Sequence, residues 1–163
     1  MNLKISLLIL FLAIIATTAF TQEKTKKQKQ IEELVNSKTF VFNATKAFPK
    51  DMKPVYLTSS YIKFSPDRIE SHLPYYDMAY NGVRYGSEAG MKFEEKPEEF
   101  TVTKGKKNYS IYAVVKRTNE TYNLSLSVSF NGTSSLSVTS NNQSFISYSG
   151  DIKAPEKKEE KTQ

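Results

Sequence analysis

The chain of 163 residues contains no cysteine and no tryptophan, and its only histidine is His72. Without cysteine, disulfide bonds, thiolate metal ligands and lipid attachment to a cysteine are all excluded. A single histidine offers too few nitrogen ligands for a zinc centre, so we read His72 as a strand residue at or near the surface. We therefore expect no metal site and no cofactor, and a fold that its apolar core alone must stabilise.

Sequence motifs of the common catalytic classes are missing as well. A nucleophilic serine of the α/β-hydrolase type would need a Gly-x-Ser-x-Gly turn, which does not occur. Gly82, Gly86 and Gly90 lie four residues apart among bulky side chains and do not match a phosphate-binding loop. The glutamates between Glu88 and Glu99 are typical of a solvated charge run. We predict that the protein is not an enzyme, and a hydrolase is the lowest-ranked alternative.

The positive charge of the chain is concentrated near its N-terminus. The formal net charge is +6 at pH 7. Four lysines lie within residues 24–29, and Glu23 is the one acidic residue directly beside them. The remaining chain is close to balanced. A solvated helix face explains such a charge run better than a nucleic-acid site, so we predict no nucleic-acid partner.

The first residues have the layout of a secretory signal peptide. An apolar run over residues 5–16 follows a single lysine, and small residues continue to Ala19. The run is shorter than the roughly 20 residues of a membrane-spanning helix. We predict a signal peptide over residues 1–21, cleaved between Ala19 and Glu23, and a secreted or periplasmic location. Retention as an uncleaved anchor is the alternative, because lysines follow the apolar run.

The clearest structural signal is the alternation of apolar and small polar residues over Tyr122–Phe130. Asn131-Gly132 follows, and Leu136 and Val138 resume the alternation. A period of two places the apolar side chains on one face of a strand. Asn-Gly between two such runs is a strong hairpin signal, because both central residues of a type I′ turn need a positive φ. This region predicts an antiparallel sheet with one buried face and one face of Ser, Thr and Asn.

The rest of the chain predicts more strands and one helix. Ile31, Leu34 and Val35 have helical spacing and predict a helix over Lys27–Asn36 that packs on the sheet. Strands are expected from β-branched and aromatic content near residues 39–45, 55–64, 68–73, 91–94, 100–103, 109–116 and 144–150. The predicted fold is mainly β (α+β), a curved antiparallel up-and-down meander with an N-terminal helix, closing at most to a partly open barrel. The domain spans residues 22–152, and residues 153–163 are predicted to be a disordered charged tail.

A tyrosine-rich segment near residues 74–86 lacks a clear period and is predicted to be a long loop. Tyrosine combines a wide ring face with a polar tip, which suits sugars, peptides and protein partners. The structural alternative is that these rings cap the open end of the sheet and form a second small core. The candidate ligand-binding residues are Tyr75, Tyr76, Tyr80, Arg84 and Tyr85.

Several short motifs occur in a fixed order along the chain. They are Phe42–Pro49, Tyr61–Phe64, Leu73–Tyr76, Gly90–Phe93, Tyr122–Leu126, Asn131-Gly132 with Leu136, and Ile146–Gly150. This ordered set, from about Glu32 to Ile152, resembles the domain of unknown function 4251 family, exported proteins of Bacteroidota. Where the family has an aromatic-plus-Gly pair after Leu-Pro-Tyr, this chain has Tyr76-Asp77. The resemblance implies a fold and a compartment, and it implies no catalytic residue.

Two functions follow from these observations. The first is non-enzymatic binding of a small ligand, glycan or peptide near the tyrosine-rich segment. The alternative is a structural or protein-interaction component of the cell envelope that uses a sheet edge or the Ser/Thr face. Solution size at micromolar concentration helps to separate them, because a monomer with a ligand pocket would exclude the second function.

Overall fold

The computed structural model describes residues 26–76, 78–79, 82–83 and 90–156. Within these ranges a helix, α1, covers residues 26–36. The predicted signal peptide, residues 157–163 and most of the tyrosine-rich segment lie outside the described residues. Eleven strands follow α1 in the described part: β1 Phe40–Pro49, β2 Val55–Phe64, β3 Ile69–Leu73, β4 Met78–Ala79, β5 Gly82–Val83, β6 Met91–Glu95, β7 Glu99–Lys104, β8 Asn108–Lys116, β9 Thr121–Ser129, β10 Thr133–Ser140 and β11 Ile146–Lys153.

Nine of these strands form one antiparallel sheet in the order β6-β3-β2-β1-β11-β10-β9-β8-β7. The order joins two up-and-down meanders through the pairing of β1 with β11. The sheet is curled into a half-barrel, which confirms the predicted mainly β fold. The tyrosine-rich segment, which the sequence predicts to be a loop, contains two short strands: β4 and β5 pair with each other as a separate two-stranded sheet.

The hairpin between β9 and β10 is the one that the alternation predicts. Leu126 pairs with Leu136 and Ser127 with Ser135, so the apolar and polar faces match across the two strands. This hairpin places its apolar residues in the core and most of its serines on the outer face. Ser134 is the exception, because it is buried on the core side and its hydroxyl donates a hydrogen bond to the carbonyl of Gly132.

The connection between β9 and β10 differs from the predicted type I′ turn. Gly132 has φ +91°, but Asn131 does not have a positive φ, and three residues, 130–132, join the strands. The N–H of Gly132 donates to the carbonyl of Ser129, so the glycine occupies the left-handed position that follows a turn over residues 129–132.

A β-bulge at Thr45 changes which face the side chains of β1 occupy. Ala44 pairs with Gly150 and Lys46 with Ser149, so β1 has one more residue here than β11. Before the bulge the buried residues have even numbers, such as Ala44, and after it Ala47 and Pro49 are buried. Phe48 is consequently on the outer face of the sheet.

Gly150 is required by this bulge. A Cβ atom at residue 150 would lie 1.9 Å from the carbonyl oxygen of Asn43, which is a backbone atom that cannot swing away. The close approach of β1 and β11 therefore depends on the absence of a side chain at this position.

The concave face of the half-barrel holds the core. Phe93 of β6 stacks on Tyr122 of β9 with ring centroids 5.0 Å apart, so strands distant in the sheet meet across its interior. Phe64 of β2 similarly approaches Phe100 of β7, at 6.4 Å. The largest fully buried side chains include Tyr148, Phe40, Phe42, Ile62, Ile69, Leu73, Met91, Ile111, Leu124 and Leu126. Opposite them, Ser, Thr and Asn line much of the outer face on β9 and β10. On β2, β3 and β6 the outer face carries larger polar residues: Tyr61, Lys63, Glu70, His72, Lys92 and Glu94.

Helix α1 covers one end of the half-barrel, which we call the helix end. Val35 is fully buried, and Ile31 is 8 % exposed. The Cδ1 atom of Ile31 lies 2.9 Å from where a Cβ on Gly132 would be, so the helix rests on the β9–β10 turn. Lys104 at the end of β7 forms an ion pair with Glu32 at 2.5 Å. The predicted packing of the helix on the sheet is confirmed.

Candidate ligand-binding end of the sheet

The end of the half-barrel away from the helix is covered by the start of the tyrosine-rich segment, and we call it the tyrosine end. Tyr75 is 6 % exposed, and its hydroxyl donates a hydrogen bond to the carbonyl of Ser144 at 3.0 Å. Tyr76 is half-buried and packs against the core. The other three candidate residues, Tyr80, Arg84 and Tyr85, lie outside the described residues.

A second tyrosine fixes the same segment from the β11 side. The hydroxyl of Tyr148 donates a hydrogen bond to the carbonyl of Pro74 at 2.7 Å. Burial raises the pKa of Tyr148 well above its ordinary value, and the neighbouring Tyr75 and Tyr76 raise it further. Two tyrosine hydroxyls therefore attach residues 74–76 to the start of β11, which gives the tyrosine-rich segment a rigid base.

Three large apolar side chains are exposed in the described part of the chain: Phe48 at 38 %, Phe145 at 47 % and Tyr56 at 81 %. Phe48 belongs to β1, Tyr56 to β2, and Phe145 immediately precedes β11. All three come from adjacent strands of the sheet. Together with Lys46 we call them the aromatic patch.

Lys46 links two members of the aromatic patch. Its Nζ atom lies 4.5 Å from the centroid of the Tyr56 ring and 5.8 Å from that of Phe48. Lys46 and Tyr56 are direct cross-strand partners, so the backbone register fixes this contact. A cation over aromatic rings is an attractive arrangement, and it orders the side chains without burying them.

The aromatic patch adjoins the base of the tyrosine-rich segment. Pro49 pairs with Ile146, and these two buried residues directly follow Phe48 and Phe145 in sequence. Ser144, whose carbonyl accepts the Tyr75 hydrogen bond, directly precedes Phe145. The exposed rings and the base of the predicted ligand-binding segment therefore both lie at the tyrosine end.

The aromatic patch is a group that the sequence did not predict. Phe48 follows the alternation of Phe40 and Phe42, and only the bulge at Thr45 turns it outward. The exposure of Phe145 could have been predicted from the sequence. Phe145 directly precedes the buried Ile146, and the next outward position along β11 is Ser147. An aromatic residue that shares the alternation of the outward serines is expected to be exposed.

Two other chemically reactive side chains, His72 and Glu70, make structural contacts with their neighbours. His72 is exposed and stacks on Tyr61, as expected for a strand histidine. Glu70 accepts hydrogen bonds from the Tyr61 hydroxyl at 2.7 Å and from Lys63 at 3.0 Å. These two hydrogen bonds lower the pKa of Glu70, so it stays ionised and paired at neutral pH. No group of three or more potential metal ligands occurs among residues 26–76, 78–79, 82–83 and 90–156.

These observations define a class: a mainly β domain whose described part has one large antiparallel sheet, one helix and no group of three or more potential metal ligands. A family model described as "Domain of unknown function (DUF4251)" matches residues 22–152. The chain belongs to this family. Comparison with curated proteins gives no match.

A solved structure confirms the fold. The crystal structure of a DUF4251 family protein from Bacteroides eggerthii matches with a TM-score of 0.61 and 11 % sequence identity. The alignment covers 77 % of this chain and 86 % of the other. In the portion of the chain that the structure describes, no helix is sufficiently long and apolar to cross a membrane.

Proposed function

We propose that this protein is an exported, non-enzymatic binding domain that captures a glycan or peptide at the tyrosine end. The observation that supports this most is the position of the aromatic patch. The three exposed large apolar side chains of the described chain, Phe48, Tyr56 and Phe145, border the base of the tyrosine-rich segment. Exposed rings that are held in place by a rigid sheet are a common basis of recognition.

The chemistry of the patch narrows the class of ligand. Ring faces of Phe48, Tyr56 and Phe145 can pack against the apolar face of a sugar or against an apolar side chain. Lys46 beside them offers a positive charge, so an acidic group on the ligand would be favoured. Ser147 and Ser149 on the same face of β11 add hydroxyl groups that can donate or accept hydrogen bonds.

Export is part of the same proposal. The N-terminal apolar run has the pattern of a cleaved signal peptide, and the family resemblance implies exported proteins. Cell fractionation with N-terminal sequencing of the mature chain tests it. A new N-terminus between Ala19 and Glu23 is expected, whereas an intact N-terminus in the membrane fraction would favour an anchor.

Binding is tested with an array of neutral and acidic glycans and a peptide library, followed by titration calorimetry of the hits. We expect Tyr56→Ala and Phe145→Ala each to weaken binding roughly tenfold or more, as removal of a central aromatic contact does. Tyr76→Ala and Tyr80→Ala should weaken it too while leaving the protein folded. Tyr112→Ala, the same change elsewhere on the outer face, is the matched control and should bind normally.

Two results would contradict the proposal. If the four variants bind like the wild type, the ligand site is elsewhere. If Tyr76→Ala and Tyr80→Ala lower thermal stability as much as a core truncation does, the tyrosine-rich segment is a structural cap.

A further inference from the structure

The two edge strands of the sheet, β6 and β7, are protected to very different degrees. β6 is five residues long, three of which, Lys92, Glu94 and Glu95, are charged, and Pro97 follows closely. Charged residues on an edge strand discourage pairing with another chain. β7 has charged residues at its two ends only, Glu99 and Lys104.

The interior of β7 is suited to strand pairing. Phe100, Thr101, Val102 and Thr103 are uncharged residues of high β propensity. Phe100 and Val102 are half-buried on the concave side, and none of the six residues of β7 is buried. In the sheet formed by the described residues, β7 pairs on one side with β8 and ends the strand order on the other.

The sequence of β7 is complementary to itself in one antiparallel register. Residues directly opposite in an antiparallel pair share a face of the sheet. An odd-numbered residue of one β7 strand must therefore lie opposite an odd-numbered residue of the other, and an even-numbered residue opposite an even-numbered one. With Thr101 opposite Thr101 of a second copy, Phe100 faces Val102 and Glu99 faces Thr103. One position further, Glu98 lies opposite Lys104, so opposite charges meet at each end. Within one chain these two residues form exposed ion pairs with Lys116 and Glu32, which the new contact would extend.

We infer that β7 pairs with β7 of a second copy of this chain around a two-fold axis at Thr101. The contact joins two nine-stranded sheets edge to edge. In this register apolar residues lie opposite apolar residues, Thr101 lies opposite Thr101, and oppositely charged residues meet at the ends. A two-fold contact of this kind is self-complementary and closed, so it yields dimers and not fibres. It is independent of the aromatic patch, which lies on β1, β2 and β11.

Sedimentation velocity over a series of protein concentrations tests the inference. The wild type should convert from monomer to dimer at roughly micromolar concentration, as expected for a contact smaller than a standard interface. Thr101→Lys should be monomeric throughout, because it places two like charges opposite each other at the axis. Thr101 is exposed, so circular dichroism of this variant should match the wild type.

The control and the rescue are specific to this register. Thr103→Lys adds the same charge two residues away but places it opposite Glu99, so dimers should persist or tighten. A mixture of Thr101→Lys with Thr101→Glu should restore a dimer that neither variant forms alone, because residue 101 faces residue 101. A wild type that remains monomeric at roughly 300 µM, or a mixture that stays monomeric, would overturn the inference. A dimer that survives Thr101→Lys would place the interface elsewhere.

Discussion

The helix end and the tyrosine end of the half-barrel are closed by different means. At the helix end, α1 contributes the buried side chains Ile31 and Val35 to the core. At the tyrosine end, an irregular segment is attached by hydrogen bonds from Tyr75 and Tyr148 to backbone carbonyl groups. The helix end carries few exposed apolar groups, whereas the tyrosine end is bordered by the aromatic patch.

This difference separates stability from recognition. A helix that buries an apolar stripe closes an end of the sheet through packing alone, and its outer surface can remain charged. An irregular segment that is held by hydrogen bonds buries less apolar surface, and each of its backbone N–H and C=O groups needs its own hydrogen-bond partner. Phe48, Tyr56 and Phe145 remain exposed at that end, where a ligand could cover them. The comparison predicts that changes at the helix end act on folding, and that several changes at the tyrosine end act on binding.

The largest effect is expected from Val35→Ala at the helix end. Val35 is fully buried, so the change removes two methyl groups and leaves a cavity. The free energy of unfolding should fall by about 2 kcal/mol. Chemical denaturation measures it, and Glu33→Ala on the exposed side of the same helix should cost less than about 0.5 kcal/mol. Equal costs for the two variants would mean that α1 does not close the sheet.

Tyr148→Phe should have the next largest effect, at the tyrosine end. It removes the hydroxyl that donates to the carbonyl of Pro74 and leaves that carbonyl without this partner. We expect a loss of about 1–2 kcal/mol, with faster hydrogen exchange in residues 74–76. Tyr112→Phe is the control, since its hydroxyl bonds only to the Asn123 side chain on the outer face. No change in exchange at residues 74–76 would contradict the attachment that we describe.

Alkaline pH should destabilise the protein through the same tyrosine. Burial raises the pKa of Tyr148, so the folded state keeps this hydroxyl neutral while the unfolded chain ionises near pH 10. A pKa raised on folding contributes stability that is lost as pH rises above the unfolded value. We expect Tyr148 to account for about 1 kcal/mol of loss by pH 11. Tyr148→Phe should show a correspondingly shallower decline in a pH series of unfolding curves.

The smallest effect is expected from Glu32→Gln, which removes the exposed ion pair of the helix end. The hydrogen bond from Lys104 and its charge lower the pKa of Glu32, so the pair contributes above the ordinary pKa of a glutamate. That contribution disappears as pH falls through the lowered pKa. Because exposed pairs contribute little, unfolding at pH 7 should change hardly at all. A large loss at pH 7 would show that the helix end depends on charge as well as on packing.

The sequence predicted those features that local chemistry determines. Alternation over Tyr122–Phe130 and the Asn131-Gly132 signal predicted the β9–β10 hairpin and its apolar face, and the structure confirms both. The predicted type I′ turn is wrong, because three residues connect the strands and Asn131 has no positive φ. Helical spacing at Ile31 and Val35 likewise predicted α1 and its buried side. These signals require only neighbouring residues, so one sequence is enough to detect them.

Features that depend on distant contacts could not be predicted in the same way. The pairing of β1 with β11 joins residues about a hundred positions apart, and nothing near either strand specifies it. The bulge at Thr45 follows from that pairing, and it alone decides that Phe48 is exposed. The place of Phe48 in the aromatic patch is therefore a consequence of tertiary structure. The assignment of Tyr75, Tyr76, Tyr80, Arg84 and Tyr85 to a ligand site stays a prediction.

The position of β11 also constrains the order of folding. Among the described residues it is the last strand, yet it lies at the centre of the large sheet, between β1 and β10. Until β11 has been synthesised, the β1–β11 pairing that joins the two meanders cannot form. The backbone groups of β1 and β10 that face β11 then have no strand partner. Completing the sheet requires a contact between the first and last strands, which is slow to form. A polypeptide of this topology can complete its large sheet only after nearly all of the described chain has been synthesised.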